Sequence, residues 1–299
     1  MNAERQRLDA HRWHWQHGPI DIVAEAHGAP EAVAEAHEAA WRRFENVLTE
    51  LVAELPLLRQ PVADPAGAPR GPVARRMWQA CTPFLPEFIT PMAAVAGSVA
   101  DELIAFYQRP GIERAWLNNG GDIALHLAPG QSVRVGLFSD LARFDLAGLQ
   151  HLSADGRFEI HHQDAVRGVA TSGWRGRSFS MGIADSVTVL APAAAQADAA
   201  ATMIANAVNV PDPAIERRPA NACRDDSDLG ERLVTTIVPP LAPQQVRHAL
   251  DAGQAKAREL QARGLVWAVL LVCQEQWRHV EPISLQPPAG LASLGAVLA

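Results

Sequence analysis

The feature that most constrains this chain is the segment 168–206, GVATSGWRGRSFSMGIADSVTVLAPAAAQADAAATMIAN, in which a glycine-rich loop, a strand and an acid-bearing helix follow one another. Pro192 suits the first turn of that helix because its missing N–H needs no partner there. The alanines that follow are strong helix formers. Any chemistry that the protein performs is therefore expected in this segment.

Within the predicted helix, Asp198 and Thr202 are four residues apart and share one face, and Asn206 continues that stripe by one turn. A carboxylate and a hydroxyl aimed at one point suit a hard cation such as Mg²⁺, which keeps water or phosphate oxygens as its other ligands. A structural explanation is also open. The helix macrodipole favours a carboxylate in the early turns, and a threonine hydroxyl can bond to its own helix backbone.

The loop at residues 171–182 also has two interpretations. Glycines allow backbone N–H groups to approach a phosphate closely. Arg175 and Arg177 offer planar guanidinium groups for phosphate oxygens. Gly173, Gly176 and Gly182 could equally mark only turns.

The composition argues against several classes of function. A formal net charge of −7 and the lack of a basic run disfavour a nucleic-acid or anionic-membrane surface. The three cysteines are far apart and in no CxxC spacing, which favours a reducing, cytoplasmic compartment over a disulfide framework. The N-terminus lacks the apolar core of a secretory signal, and no stretch approaches 18 apolar residues, so neither export nor a membrane span is expected.

The rest of the chain combines helix and strand signals. Apolar residues at helical spacing predict helices over residues 30–55, 73–81, 92–108 and 244–263. Thr90 and Pro91 are the expected N-cap and first turn of the helix over 92–108. Shorter runs predict strands at 12–23 (two, hinged near Gly18), 114–117, 123–127, 133–138, 158–161, 168–171, 187–190, 232–238, 265–273 and a last one to residue 280. Helices and hairpins in one chain indicate an α+β fold.

Residues 118–122, Asn-Asn-Gly-Gly-Asp, separate two of the predicted strands. Asn and Gly accept positive φ angles, so this sequence is typical of a hairpin turn. The helix predicted over 92–108 begins with MAAVAGSVA, and such small residues let a neighbouring helix or a flat ligand come close.

These motifs together resemble the ApbE superfamily of FAD:protein FMN transferases. The resemblance is carried by NNGGD, GVATSG and ADSVTVLAPAAAQADAAATMIAN, and by GPIDIVAEAHG, ELPLLRQP and TPMAAVAGSVADELI earlier in the chain. It covers roughly residues 10–282, leaves 283–299 as a tail, and points to a smaller branch of the superfamily found in bacteria and archaea. It implies a single ApbE-like, tunnelling-fold-like domain over residues 1–299, with helices packed on a mixed sheet.

The resemblance also implies a site. It makes Asp198 and Thr202 ligands of Mg²⁺. It places FAD or a related flavin nucleotide against two loops, at Asn119, Gly120, Gly121, Asp122, Thr171, Ser172, Gly173, Arg175, Arg177 and Ser178. The glycine turn, the loop after residue 171 and the small-residue helix are expected to converge on one cleft. A protein acceptor is compatible with the resemblance, and the oligomeric state is not predicted.

The chain departs from active flavin transferases after the ATSG region. Those enzymes carry a segment of the HIxDPxTG type, whereas this chain reads RSFSMGIAD and lacks the histidine and the DPxTG residues. Asp185, which directly precedes the next strand, is the candidate replacement for the missing acid, and otherwise it only ends a turn. Transfer of FMN onto a threonine of a target protein is therefore not expected.

Two functions are compatible with these residues. The first is an enzyme that acts on a phosphate or pyrophosphate bond of a flavin-type nucleotide, by transfer or hydrolysis, with Mg²⁺ neutralising the developing charge. The second is a cytoplasmic, non-catalytic module that binds a ligand or a redox partner in flavin or sulfur metabolism.

Overall fold

A computed structural model describes residues 2–63, 67–137 and 156–282 of the chain. Within these ranges the strands are β1 (Glu4–Arg7), β2 (Arg12–His17), β3 (Ile20–Gly28), β4 (Ile112–Asn119), β5 (Asp122–Leu127), β6 (Ser132–Leu137), β7 (Gly156–His161), β8 (Gly168–Ser172), β9 (Ser186–Ala191), β10 (Glu216–Pro219), β11 (Leu233–Ile237), β12 (Ala268–Cys273) and β13 (Gln276–Val280). The α-helices are α1 (Pro30–Ala53), α2 (Leu55–Leu58), α3 (Pro72–Cys81), α4 (Val95–Ile104), α5 (Ala194–Ala207), α6 (Ala220–Cys223) and α7 (Pro243–Ala262).

Nine strands form one sheet in the order β1-β2-β3-β4-β5-β8-β9-β12-β13. β6 pairs with β7, and β10 with β11, in two separate hairpins. The α+β class is confirmed. In the nine-stranded sheet every neighbouring pair of strands is antiparallel.

Both faces of the central strands are covered. Helices α1, α4, α5 and α7 pack on one face, where every second residue of β3 is buried. The β6–β7 hairpin covers the other face, where Leu125 and Leu190 join its apolar side chains. All six residues of β9 are buried as a result. Strands held on both faces give rigid support to the loops at their ends, and the candidate site lies in those loops.

Several predicted elements differ in detail. The helix expected over 92–108 consists of a 3₁₀ turn (Pro91–Ala94), α4, and a second 3₁₀ turn (Ala105–Tyr107). Thr90 makes no side-chain capping bond to the first 3₁₀ turn, and its hydroxyl donates a hydrogen bond to Asp228. Pro192 lies outside α5, which begins two residues later than expected. β1, β10, α2 and α6, each four residues long, were not predicted.

Two predictions fall outside the described residues. Phe138, the last residue of one predicted strand, and the tail at 283–299 are not among them. That residues 1–299 form a single domain stays a prediction. Among the helices that the structure describes, none is long and apolar enough to cross a membrane.

Candidate functional site

The site is built first on the turn between β4 and β5. Asn119 pairs with Asp122 across the ladder, and Gly120 and Gly121 between them adopt φ angles of 66° and 114°, which glycine adopts without strain. The predicted hairpin turn is therefore confirmed. The Asn119 amide donates to the carbonyl of Ala96 at 3.1 Å, which joins this turn to the start of α4.

Asp122, at the end of the turn, is a partly buried residue. Its Oδ1 accepts a hydrogen bond from the backbone N–H of Thr171 at 3.2 Å. Burial raises the pKa of Asp122 to about 7, although the Thr171 bond acts in the opposite direction. This carboxyl group therefore changes its charge near neutral pH in the free protein.

Asp198 approaches the same place from α5. Its Oδ2 accepts a hydrogen bond from the backbone N–H of Gly97, in the first turn of α4, at 3.0 Å. Burial raises the pKa of Asp198 well above its usual value, and repulsion from Asp122 raises it further. Asp198 thus caps α4 rather than acting only as a charge near the start of its own helix.

The two residues that share the stripe with Asp198 have different surroundings. Thr202 is partly buried, and its hydroxyl makes no hydrogen bond with any residue that the structure describes, so the expected alternative of a bond to its own helix backbone is not observed. Asn206 is structural, because its Oδ1 accepts hydrogen bonds from the N–H of Met181 at 2.9 Å and the hydroxyl of Ser180 at 3.3 Å. Of these two residues, Thr202 is the one whose side-chain oxygen has no hydrogen-bond partner among the described residues.

The two loop arginines are not equivalent. A Cβ on Gly120 would lie 3.3 Å from Nη1 of Arg177, so this guanidinium lies directly over the glycine turn. Within the described part of the chain, Arg177 has no hydrogen bond or ion pair. Arg175 lies 3.6 Å from Asp185 and 5.0 Å from the Trp174 ring. Of the two loop arginines, Arg177 is therefore the one more available to an anionic ligand.

The ATSG segment contributes mainly backbone to the site. The Thr171 hydroxyl bonds to that of Thr188 at 3.0 Å, while its N–H serves Asp122. Ser172 ends β8 opposite Val187 of β9. Gly173 permits a close backbone approach, because a Cβ there would lie 2.4 Å from the carbonyl oxygen of Asp185. Ser178 is exposed in the following loop.

Asp185 is held by structural hydrogen bonds at both carboxylate oxygens. Oδ1 accepts from the Trp174 ring N–H at 3.2 Å, and Oδ2 accepts from the backbone N–H of Gln274 at 2.6 Å. These bonds tie the loop to the β12–β13 turn. The candidate role of Asp185 as the replacement acid stays a prediction.

The oxygen groups of this site fit a hard divalent cation. Asp198 faces two other carboxylates, Asp122 and Asp101, so a cation would relieve the charge repulsion that raises its pKa. Across residues 2–63, 67–137 and 156–282, however, no three side chains of His, Cys, Asp or Glu are grouped to hold a metal. Asp122, Asp198 and Thr202 would thus need oxygens from a second ligand to complete octahedral coordination.

Two acids near the site were not identified from the sequence. Asp101 of α4 accepts hydrogen bonds from the N–H groups of Ala194 and Ala195, and it caps α5 in this way. Asp228 lies near Cys81, because both Asp228 and Asp198 add to the effect of burial in raising the pKa of that thiol. One signal was available for Asp101: the residue before α5 is Ala193, which cannot cap a helix with its own side chain.

Comparisons with known sequences give a family. The family model described as AbpE bacteria matches residues 5–279 of this chain. A UPF0280 protein of Methanopyrus kandleri is 40% identical over 177 residues, which are 58% of this chain and 65% of the relative. One from Methanospirillum hungatei is 38% identical over 125 residues, which are 42% of this chain and 47% of the relative. The chain thus spans less than two thirds of the length of these relatives.

Two solved structures were also compared. An ApbE protein of Thermotoga maritima is 13% identical, with a TM-score of 0.44 over 94% of this chain and 97% of the other. The flavin transferase ApbE of Vibrio cholerae is 14% identical, with a TM-score of 0.39 over 94% and 98% of the two chains. Because the family model matches from β1 to β13, the chain belongs to the AbpE bacteria family, which confirms the ApbE-like resemblance of its motifs.

Proposed function

We propose that this protein binds the diphosphate of a flavin nucleotide together with Mg²⁺ and acts on a phosphate or pyrophosphate bond of that nucleotide. In the proposed step the pyrophosphate bond of FAD breaks, water or an acceptor takes the FMN phosphoryl group, and AMP is the leaving group. Family membership and the resemblance to FAD:protein FMN transferases support the choice of ligand. The reaction, the cation and the nucleotide are parts of one proposal.

The observation that carries the proposal is the meeting of Asp122, Asp198 and Arg177 at the glycine turn. Burial raises the pKa of both carboxylates, and Asp122 raises that of Asp198 further, so a cation beside them is favoured. The Arg177 guanidinium, which has no partner among the residues that the structure describes, lies 3.3 Å from the Cβ position of Gly120 and favours an anion beside them. A nucleotide diphosphate with a bound divalent cation supplies both charges in one ligand.

Each part of the site has a role in this proposal. Asp122, Asp198 and the Thr202 hydroxyl would hold Mg²⁺, which neutralises phosphate charge as it develops. Arg177 would bind a phosphate oxygen, with Arg175 as a weaker second contact because Asp185 already pairs with it. The backbone of the two loops would line the nucleotide, at Asn119, Gly120, Gly121, Thr171, Ser172, Gly173 and Ser178.

The test is incubation of the purified protein with FAD and Mg²⁺, followed by chromatography for AMP and FMN. We expect both products in equal amounts, and neither with Asp198→Asn or with EDTA. The Asn side chain keeps an oxygen that can accept from Gly97 but removes the charge. Equal product formation by the parent and Asp198→Asn would contradict the assigned role of Asp198.

A second function, binding without catalysis, is favoured by the bonds of Asp185. The acid that could replace the missing DPxTG residue has both oxygens occupied by Trp174 and Gln274. The same incubation separates the two functions. Saturable FAD binding that requires Mg²⁺, with no AMP or FMN after prolonged incubation, would identify a flavin-nucleotide-binding module.

A further inference from the structure

Helices α4 and α5 cap each other's N-termini with acidic side chains. Asp101 of α4 accepts from the N–H groups of Ala194 and Ala195 of α5, at 3.0 and 2.8 Å. Asp198 of α5 accepts from the N–H of Gly97 of α4, at 3.0 Å. Neither helix has a capping side chain of its own, since the N-cap residues are Ala94 and Ala193.

The two contacts also fix the separation of the helices. Gly97 permits this separation, because a Cβ at that position would lie 2.3 Å from the carbonyl oxygen of Ala194. Asp101 belongs to α4 and accepts hydrogen bonds from the first turn of α5, while Asp198 lies one turn further along α5. A movement of the α5 N-terminus relative to α4 would therefore carry the Asp198 carboxylate away from Gly97 and Asp122.

We infer that Asp101 is a positioning residue for the cation site: it holds the start of α5 against α4 so that the Asp198 carboxylate stands beside Asp122. This inference rests on the proposed function for its cation, but the geometry of Asp198 can be tested without one. Asp101 does not itself act as a ligand, because both of its oxygens accept hydrogen bonds from α5.

The test separates positioning from ordinary helix capping. Asp101→Ala removes the cap and the link between the helices. Adding Ala193→Ser to it restores a local cap, since Ser at an N-cap position accepts from the first turn, but it does not restore the link to α4. Ala193→Ser alone is the matched control. Asp101→Asn keeps one accepting oxygen and should give an intermediate result.

Two readouts are compared in these variants. Mn²⁺ binding, measured by the electron paramagnetic resonance signal of the free ion, should be at least tenfold weaker in Asp101→Ala/Ala193→Ser than in Ala193→Ser, although both melt at similar temperatures. In the metal-free proteins, the Gly97 amide resonance should move toward its position in Asp198→Ala.

The possible results are distinct. If the double variant recovers Mn²⁺ affinity along with melting temperature, Asp101 is only a cap and the inference is wrong. If the parent binds no Mn²⁺, the proposed cation fails, and the Gly97 resonance alone decides about Asp101. A Gly97 resonance that stays at its parent position in the double variant overturns the inference whatever the metal result.

Discussion

At the scale of single residues, the site consists of carboxylates held by backbone amides. Thr171 donates to Asp122, and Gly97 donates to Asp198. A neutral amide satisfies an oxygen acceptor without cancelling its charge. Burial therefore still raises the pKa of both carboxylates, and repulsion from Asp122 raises that of Asp198 further. This property separates the pair from the surface carboxylates that are paired with arginine, such as Glu38.

The raised pKa of Asp122 makes stability depend on pH. The folded protein keeps this proton up to about pH 7, whereas the unfolded chain loses it near pH 3.8, so the folded state binds more protons between these values. The free energy of unfolding of the metal-free protein should therefore fall as pH rises through that window. Asp122→Asn should reduce this slope, as measured by urea denaturation from pH 4 to pH 8. An unchanged slope would show that other groups cause it.

Arg177 and Arg175 form a matched pair for testing phosphate recognition. Arg177→Ala should weaken binding of FAD with Mg²⁺ by about tenfold to a hundredfold, the value of a charge-assisted hydrogen bond of about 1.5–3 kcal/mol. Arg175→Ala should have a smaller effect because that side chain already pairs with Asp185. Isothermal titration calorimetry measures both. A larger loss of affinity in Arg175→Ala than in Arg177→Ala would contradict this assignment and place the phosphate nearer to Asp185.

At the scale of elements, the contact between α4 and α5 sets the position of the site. Small residues at the start of α4 allow its backbone to touch that of α5, which is the neighbouring-helix explanation of the MAAVAGSVA segment. The turn between β4 and β5 then joins the same place through Asn119. The Thr171 N–H also donates to Asp122 at this turn. The glycine turn, the loop after residue 171 and the start of α4 thus converge as the sequence predicted, while their role in binding a ligand stays a proposal.

Gly97→Ala tests this close contact. The added methyl group would meet the Ala194 carbonyl oxygen at 2.3 Å, so the helices must separate. We expect a loss of about 1–3 kcal/mol in the free energy of unfolding, as for other overpacked sites, together with weaker cation binding. Gly67→Ala is the control, since nothing lies within 4 Å of the Cβ position there. Equal stability of the two variants in urea would contradict the packing argument.

At the scale of the whole molecule, a cation bound only by the folded protein should raise its stability. A hundredfold excess of free Mg²⁺ over its dissociation constant corresponds to about 2.7 kcal/mol, or about 5 °C in melting temperature for a chain of this size. The increase should be clearest with a nucleotide present and absent in Asp198→Asn. Differential scanning calorimetry provides the measurement. A variant that responds to Mg²⁺ as the parent does would remove Asp198 from the site.

The missing histidine and DPxTG residues lead to a prediction about the complete protein. Co-incubation with FAD, Mg²⁺ and a threonine-bearing target of a flavin transferase should leave the target without covalent flavin. In-gel fluorescence after denaturation measures this directly. A fluorescent target band would show that residues outside the familiar motif can complete the transfer.

Much of this organisation could be predicted from the sequence alone. The two glycines of residues 118–122 require positive φ angles, and a hairpin turn is the local structure that provides them. The spacing of Asp198 and Thr202 fixes both on one face of a helix whatever surrounds it. Such features depend on backbone conformation and on residues a few positions apart, which the sequence specifies directly.

The tertiary structure decided how these pieces are used. Asp198 and Gly97 are 101 positions apart, too far for a local sequence pattern to relate them. Their bond makes Asp198 a cap for another helix, a role that the sequence did not predict beside the metal-ligand role that it did. The bonds that Asp101 accepts from the start of α5, and those that Asp185 accepts from Trp174 and Gln274, were not predictable from the sequence for the same reason. Local spacing in the sequence fixes the direction of a side chain relative to its own helix or strand. The residue that it contacts depends on how distant elements pack, because burial and close approach bring the two residues together only when the chain folds.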